Sequence, residues 1–329
     1  SDWSSDVCSS DLLHQMRYIS ALATTGTGTI MQTTRIGDFE VHRISEFEGP
    51  FIAPETFFPA YDAAILRANP DMQGPTLVDP ASGKLIFSFH SFVVKTGRHN
   101  ILIDACIGNH KERPTRPQFH RLQSPFLADL ARTGVTPEQI DFVMCTHLHW
   151  DHVGWNTRLD NGRWVPTFPN ARYLMARREF EHWQGMHAKG EESPHVRAFD
   201  DSVLPVVESG QALMIQDGHE VDVMFTVQLA PGHTPGNAML RLHTPAQEAM
   251  FVGDVIHHPL QVYHPELSTM ACLDPQASRQ SRLRMLHHCC EHHALMLPAH
   301  FAAPHGGFIE ECATGFELRW LEGNHPTSR

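Results

Sequence analysis

The 329-residue chain lacks the run of roughly 18–20 consecutive apolar residues that a membrane-spanning helix requires, so we expect no membrane segment. Cationic side chains are also few, because 25 Lys and Arg stand against 37 Asp and Glu and give a formal net charge of −12. Binding by phosphate neutralisation needs the opposite balance, so we expect no nucleic-acid partner. The seven cysteines are odd in number and scattered, which argues against a disulfide scaffold.

The first thirty residues show no apolar periodicity that predicts a fold. Residues 1–12 (SDWSSDVCSSDL) match one translated frame of a common sequencing-adapter oligonucleotide, and we exclude them from the fold. Three residues separate Arg17 from the Ala-Leu-Ala at 21–23, fewer than the roughly seven apolar residues that a signal peptide needs. We expect a disordered tail over residues 1–30, one domain over 31–329, and a cytoplasmic rather than secreted or periplasmic protein.

Histidine is abundant: the 25 histidines equal Lys and Arg together. Histidine is the commonest metal ligand and a frequent proton carrier, so their positions are informative. Predicted strands and helices are mixed along the chain, with no repeat, low-complexity tract or linker. This pattern indicates an α/β fold in which helices cover the faces of sheets.

The most informative run is H-x-H-x-D-H at residues 147–152, directly after a predicted buried strand at 142–145. His147 and His149 alternate along an extended segment and therefore share a side, so both can reach one metal ion. As the chain turns toward a helix, Asp151 and His152 point elsewhere and can serve a second metal. The carboxyl end of a buried strand is also where α/β sheets present ligands.

Three further candidate ligands follow predicted strands in the same way. His233 lies in the Gly/Pro-rich segment after the strand at 224–229, Asp254 follows the strand at 249–252, and His300 follows the strand at 294–297. His305 competes with His300, but its position farther from the strand end makes it the weaker candidate.

Together these residues resemble the ligand set of metallo-β-lactamase-fold hydrolases, over essentially Thr33 to Trp320. Within that superfamily the chain is most similar to methyl parathion hydrolase and the larger quorum-quenching lactonases. The resemblance implies an α/β fold arranged as a four-layer αββα sandwich. It also implies that His147, His149 and His233 bind one metal, that Asp151, His152 and His300 bind the other, and that Asp254 bridges them. Such nitrogen and oxygen donors suit two Zn²⁺, which iron or manganese can replace.

The same resemblance implies a dinuclear hydrolase in which a metal-bridging hydroxide attacks a small ester, lactone or phosphotriester, with Asp151 and Asp254 as catalytic residues. It implies a homodimer as well. A glyoxalase II-type thioesterase and a β-lactam hydrolase remain alternatives. Asp254 disfavours the latter, and the presence of only Arg319 and Arg329 after Arg284 disfavours the former. A nuclease or a non-catalytic metal-binding protein is a weaker alternative.

Residues around the predicted ligands suggest further roles. Asp104 matches a family aspartate that supports a ligand from behind. His258, Gln261 and Tyr263 are candidates for substrate contact, with loop shaping as the alternative. The segments 50–82 and 184–201 are the predicted substrate-defining loops, since the metal scaffold cannot encode specificity. The His/Cys run at 287–293 is interpreted as the end of a helix rather than as another metal site.

Overall fold

The computed structural model describes residues 33–68 and 77–321, so the predicted tail over residues 1–30 lies outside the described part. Two seven-stranded sheets form the centre of the fold, with strands numbered in chain order. The first sheet has the order β1 (Thr33–Ile36), β2 (Phe39–Ile52), β3 (Leu85–Lys95), β4 (Asn100–Ile103), β5 (Phe142–Met144), β8 (Arg172–Ala176), β9 (Ala212–Ile215). The second runs β10 (Glu220–Asp222), β11 (Phe225–Leu229), β12 (Ala238–His243), β13 (Glu248–Gly253), β14 (Leu295–Pro298), β15 (Gly307–Cys312), β16 (Gly315–Trp320). A separate hairpin joins β6 (Thr157–Asp160) and β7 (Arg163–Pro166).

Helices cover the outer faces of these sheets. The α-helices are α1 (Pro54–Phe57), α2 (Ala64–Ala68), α3 (Phe126–Arg132), α4 (Arg177–Ala188), α5 (Pro194–Ala198), α6 (Leu204–Glu208), α7 (Leu260–Tyr263) and α8 (Pro275–Glu291). Within the described residues, no helix is long and apolar enough to cross a membrane.

Three apolar clusters define the layers. Side chains of both sheets meet in a central core, for example Val94 of β3 and Phe251 of β13. Trp183 of α4 packs on the outer face of the first sheet, and Met285 of α8 packs on that of the second. The predicted α/β, four-layer αββα arrangement is therefore confirmed.

Local sequence signals account for the helix that covers the second sheet. Asp274 accepts a hydrogen bond from the backbone N–H of Ala277, and Pro275 occupies the first turn, where its missing N–H is harmless. The predicted helix from Asp274-Pro275 to about Cys290 is thus close to the observed Pro275–Glu291. The strands predicted before the candidate ligands form within one or two residues of the predicted bounds.

One expectation is wrong in part. The polar segment 185–201, whose Gly and Pro residues suggest a mobile insertion or lid, is not an irregular loop, because much of it is helical, in α4, in α5 and in a π-helical turn at Phe199–Val203. Val196, Ala198 and Phe199 are buried against the first sheet. The tertiary packing of these few apolar residues outweighs the low helix propensity of the segment, which contains Gly, Pro and charged residues.

Glu248, at the start of β13, provides a pH-dependent contribution to stability. It accepts hydrogen bonds from Arg241 (2.6 Å) and His288. Burial opposes its ionisation, but these partners outweigh burial and lower the pKa of Glu248 from 4.5 to about 2. A carboxylate with a lowered folded-state pKa stabilises the fold above its unfolded pKa and loses that contribution as the pH falls.

We therefore expect Glu248→Gln to remove about 1–2 kcal/mol of unfolding free energy at neutral pH, allowing for solvent screening, and none near pH 2. Urea unfolding of metal-free protein across pH 2–7 measures the difference. Glu181→Gln, on the exposed face of α4, is the matched control and should follow the wild type throughout. A Glu248→Gln deficit that does not shrink below pH 4.5 would contradict this assignment.

Candidate metal centre

The candidate ligands come from both sheets and meet at one edge of the sandwich. His147, His149, Asp151 and His152 follow β5, while Asp254 and His300 follow the parallel strands β13 and β14. The backbone N–H of Ala238 donates to the carbonyl of Thr146 (2.8 Å), which joins the sheets at this point. Gly253 allows the close approach, because it has φ +49° and an added Cβ would lie 2.7 Å from Thr146 Oγ1.

The first cluster comprises His147, His149, His233 and Asp254. One donor atom from each lies within 4.8 Å of the others. His233 Nε2 is 3.0 Å from His149 Nδ1. Asp254 Oδ2 lies 3.1 Å from His233 Nε2 and 3.7 Å from His147 Nε2. Four buried donors thus converge on one point.

The second cluster comprises Asp151, His152 and His300, again with one donor atom each within 4.8 Å. His152 Nε2 and His300 Nε2 are 3.2 Å apart. The other oxygen of Asp254, Oδ1, lies 3.2 Å from His152 Nε2 and 3.1 Å from His300 Nε2. The two oxygens of Asp254 therefore face different clusters, which is the arrangement expected of a carboxylate between two cations.

The unpartnered polar atoms show that a divalent cation suits these residues. His147 Nε2 is buried and has no hydrogen-bond partner, and Asp254 Oδ1 makes no hydrogen bond although two imidazole nitrogens lie 3.1 and 3.2 Å away. This state is costly unless a cation takes their lone pairs. Burial holds the pKa values of His147 and His149 well below normal, which leaves these rings neutral and able to coordinate. Burial opposes ionisation of Asp254 too, but neighbouring imidazoles, led by that of His152, hold its pKa well below its usual range. The histidine and aspartate groups fit a divalent metal site.

Asp104 supports the second cluster from behind, at the position that the sequence predicts. Its Oδ2 is 2.9 Å from His152 Nδ1, and its Oδ1 accepts the backbone N–H of Thr146 (2.8 Å). Asp104 has φ +57°, a left-handed conformation that aspartate tolerates better than most residues. The carboxylate thereby orients the His152 ring so that Nε2 faces the cluster.

Sequence reasoning missed Glu179, a buried carboxylate of α4. Its Oε1 accepts the backbone N–H of Leu148 (3.1 Å), and its Oε2 accepts that of Gly236 (2.9 Å). Glu179 therefore joins the loop of His147 and His149 to the loop of His233. No local pattern reveals this role, because it depends on how α4 packs.

A cavity of about 80 Å³, open to solvent, lies against both clusters. One wall is aromatic and consists of Phe51, Phe57, Phe87, Phe89 and Trp150. Phe89 also contacts a candidate ligand, with its ring centroid 4.9 Å from that of His300. Part of this wall comes from the predicted substrate loop 50–82.

The polar wall of the cavity contains two histidines that the sequence analysis did not select. His257 Nε2 lies 3.0 Å from Asp254 Oδ2, and burial lowers the pKa of His257 to about 3. The His257–His258 pair was visible in the sequence, and the three-residue spacing from Asp254 could have singled out His257. His195, in the predicted loop 184–201, has its ring centroid 3.8 Å from that of His149. Arg116 also lines the cavity.

The other candidates for substrate contact have structural partners and do not line this cavity. His258 Nε2 lies 3.0 Å from the carbonyl oxygen of Leu77, and Gln261 joins the backbone N–H of His257 (2.8 Å) to the carbonyl of Leu267 (2.8 Å). These contacts match the loop-shaping alternative.

Tyr263 and His305 also lie elsewhere. The hydroxyl of Tyr263 accepts a weak bond from the backbone N–H of Leu318 (3.5 Å). His305 Nδ1 lies 2.8 Å from the carbonyl of Phe301, and its Nε2 lies 3.6 Å from Glu48. The structure therefore places His300, and not His305, in the cluster.

The His/Cys run at 287–293 has structural contacts. His288 pairs with Glu248, and His287 packs against Phe316 with ring centroids 4.9 Å apart. Among the described residues, the two groups with metal-ligand geometry are the clusters above, and this run contributes to neither.

Residues 89–287, more than half of the chain, match the family model of the metallo-beta-lactamase superfamily. The chain belongs to this superfamily. The family match covers six of the seven converging residues, and His300 lies beyond its end. No curated protein matches the sequence.

Several solved structures share the fold. The hydrolase AbOPH of the beta lactamase superfamily superposes with a TM-score of 0.73 at 21% identity, covering 90% of this chain and 98% of that chain. AidC, a dizinc quorum-quenching lactonase, gives 0.71 at 21% identity with the same coverage. A probable metal-dependent hydrolase from Staphylococcus aureus gives 0.67 at 19% identity, covering 88% of this chain and 100% of that chain.

Proposed function

We propose that the protein is a hydrolase with a dinuclear divalent-metal centre, acting on a small ester, lactone or phosphotriester. The observation that supports this proposal most strongly is Asp254, whose two oxygens face two separate groups of imidazole donors. The residues that would hold the ions are His147, His149, Asp151, His152, His233, Asp254 and His300. Two Zn²⁺ held there would supply a water of lowered pKa and polarise the oxygen of the scissile bond.

The chain itself supplies orientation, desolvation and a route for the proton. The aromatic wall binds the apolar part of a substrate and excludes water from the clusters. Asp151 lines the cavity, and its side chain is 13% exposed, against 4% for Asp254. We assign Asp151 the transfer of a proton to the leaving oxygen, because it is the more exposed of the two cluster carboxylates that line the cavity. Full turnover by Asp151→Asn with both metals bound would contradict this role.

The character of the cavity supports the proposed substrate class. One of its walls is aromatic, which favours an uncharged aryl or acyl group over a polyanion. The neighbouring AidC is a quorum-quenching lactonase and AbOPH is a hydrolase, which supports lactones and related esters as candidates. Hydrolysis of a thioester or a β-lactam would need the same metal centre, and turnover measured on each substrate class separates these alternatives.

We expect purified protein to hold about two divalent ions per chain and to hydrolyse an acyl-homoserine lactone, an aryl ester or a paraoxon-like triester. Chelation should abolish this turnover, and added Zn²⁺ should restore it. His147→Ala should lose both metal and activity, because it removes a converging donor, whereas His292→Ala, an exposed histidine after α8, should keep both.

Metal analysis with a panel of five substrates tests the proposal. About two metals per chain without turnover of the lactone, the aryl ester or the triester would refute the substrate class, and turnover of a thioester or β-lactam alone would assign that alternative. A His147→Ala protein that retained metal and turnover would refute the metal centre.

A further inference from the structure

Three of the candidate ligand histidines have identifiable partners on their outer nitrogens. His152 Nδ1 faces Asp104, and His300 Nδ1 lies 3.1 Å from the carbonyl oxygen of Ser88. His147 Nδ1 lies 3.2 Å from the hydroxyl of Thr146. Such partners fix the tautomer and the orientation of a coordinating ring, and removing them weakens metal binding.

The outer nitrogen of His233 has a different partner. His233 Nδ1 lies 3.7 Å from the sulfur of Cys272, a separation compatible with an N–H···S hydrogen bond. Cys272 is buried, and its thiol donates to the hydroxyl of Ser278 (3.3 Å). Because the thiol proton is directed at Ser278, the sulfur can act as an acceptor both toward the hydroxyl of Thr269 (3.4 Å) and toward the His233 ring.

The backbone holds this contact in place. The carbonyl of His233 accepts the backbone N–H of Leu273 (3.0 Å), and that of Gly232 accepts the N–H of Asp274 (2.9 Å). Gly232 has φ +137°, and an added Cβ would lie 2.0 Å from the backbone nitrogen of Ser278. Two hydrogen bonds and a glycine contact therefore fix Cys272 relative to the ring.

We infer that Cys272 is a positioning residue for the metal centre: its sulfur accepts the Nδ1–H of His233 and so directs Nε2 into the first cluster. This inference rests on the proposed metal centre. It assigns a function to a cysteine that the ligand pattern leaves out, since sulfur acts here through a histidine and does not coordinate. Only the cluster of His147, His149 and His233 depends on this contact.

Zn²⁺ titration of metal-free protein, in competition with a chromophoric chelator, tests the inference. Cys272→Ala should weaken one of the two Zn²⁺ equivalents by about tenfold and leave the other unchanged. Cys272→Ser should restore most of the affinity, because a hydroxyl can also accept from Nδ1–H. Cys289→Ala is the matched control: this cysteine is also buried, and its thiol donates to the sulfur of Met285 within α8.

The outcomes separate this inference from the proposed function. Wild-type Zn²⁺ affinity in Cys272→Ala, or an equal loss in Cys289→Ala, would overturn the positioning role. If Cys272→Ala does not fold, Cys272→Ser decides, because a tenfold loss there with Cys289→Ser unchanged would contradict the hydrogen bond. If His147→Ala also binds two Zn²⁺ like the wild type, the metal centre itself is refuted.

Discussion

Replacing Asp254 with asparagine is expected to lower kcat/KM by at least about a thousandfold and to leave fewer than about two metal ions per chain. The carboxylate is the buried negative charge that faces both clusters, with oxygens 3.1 Å from His233 Nε2 and 3.1 Å from His300 Nε2. An amide has no net charge and only one acceptor oxygen, so it cannot serve two cations. Steady-state kinetics with metal analysis of the same sample measures both effects.

Two further variants serve as comparisons for Asp254→Asn. Asp160→Asn removes an exposed carboxylate in the β6–β7 hairpin and should change neither metal content nor rate. Asp104→Asn alters a carboxylate that supports His152 without facing both clusters, so it should weaken Zn²⁺ binding by about 10–100-fold. If Asp254→Asn retained two metals and more than a tenth of the activity, the assignment of Asp254 between two ions would fail.

Asp201→Asn is expected to lower the free energy of unfolding by about 3–5 kcal/mol. Asp201 accepts two hydrogen bonds from Arg113 (2.7 and 3.0 Å) and lies 3.5 Å from the ammonium of Lys111. Both cations are fully buried, and burial lowers the pKa of Lys111 to about 7. Removing the shared carboxylate leaves the buried Arg113 without its counter-charge and favours loss of the Lys111 proton. Urea denaturation of the metal-free proteins measures this difference in the free energy of unfolding.

Asp201→Asn should also affect substrate binding in the cavity. Asp201 lies in the π-helical turn that follows α5, and α5 carries His195 into the cavity wall. Loss of the ion pair should therefore raise KM more than it lowers kcat. Glu40→Gln is the matched comparison, because Glu40 pairs with Arg35 and Lys95 at the surface and its loss should change stability little. Equal stability of Asp201→Asn and wild type would show that the buried pair contributes nothing.

The candidate ligands could be predicted from sequence because each signal is local. The H-x-H-x-D-H run needs only alternation along an extended segment, and His233, Asp254 and His300 each follow a short apolar run. The ends of strands converge in α/β folds, so residues far apart in the sequence could be assigned to one site before the structure was known. The choice of His300 over His305 rested on the same rule, and the structure places His300 in the cluster.

Residues whose roles depend on packing could not be predicted. Glu179 joins two ligand loops only because α4 packs beneath them, and Cys272 meets His233 only because the start of α8 approaches Gly232. The sequence interpretation placed residues 185–201 in a mobile loop, since it cannot show that Val196 and Phe199 are buried or that Asp201 reaches Arg113.

The sequence by itself indicated an α/β fold with helices covering the sheets, and it identified the candidate donors. The periodicity of strands and helices depends on consecutive residues and can be read from the sequence. Candidate histidine and aspartate ligands are recognisable by residue type and spacing. Only the tertiary structure decided that His257, His195 and Arg116 line the cavity and that His258 does not. Which side of a loop faces a cavity depends on contacts between distant segments, such as the one between His258 and Leu77, and these form only when the chain folds.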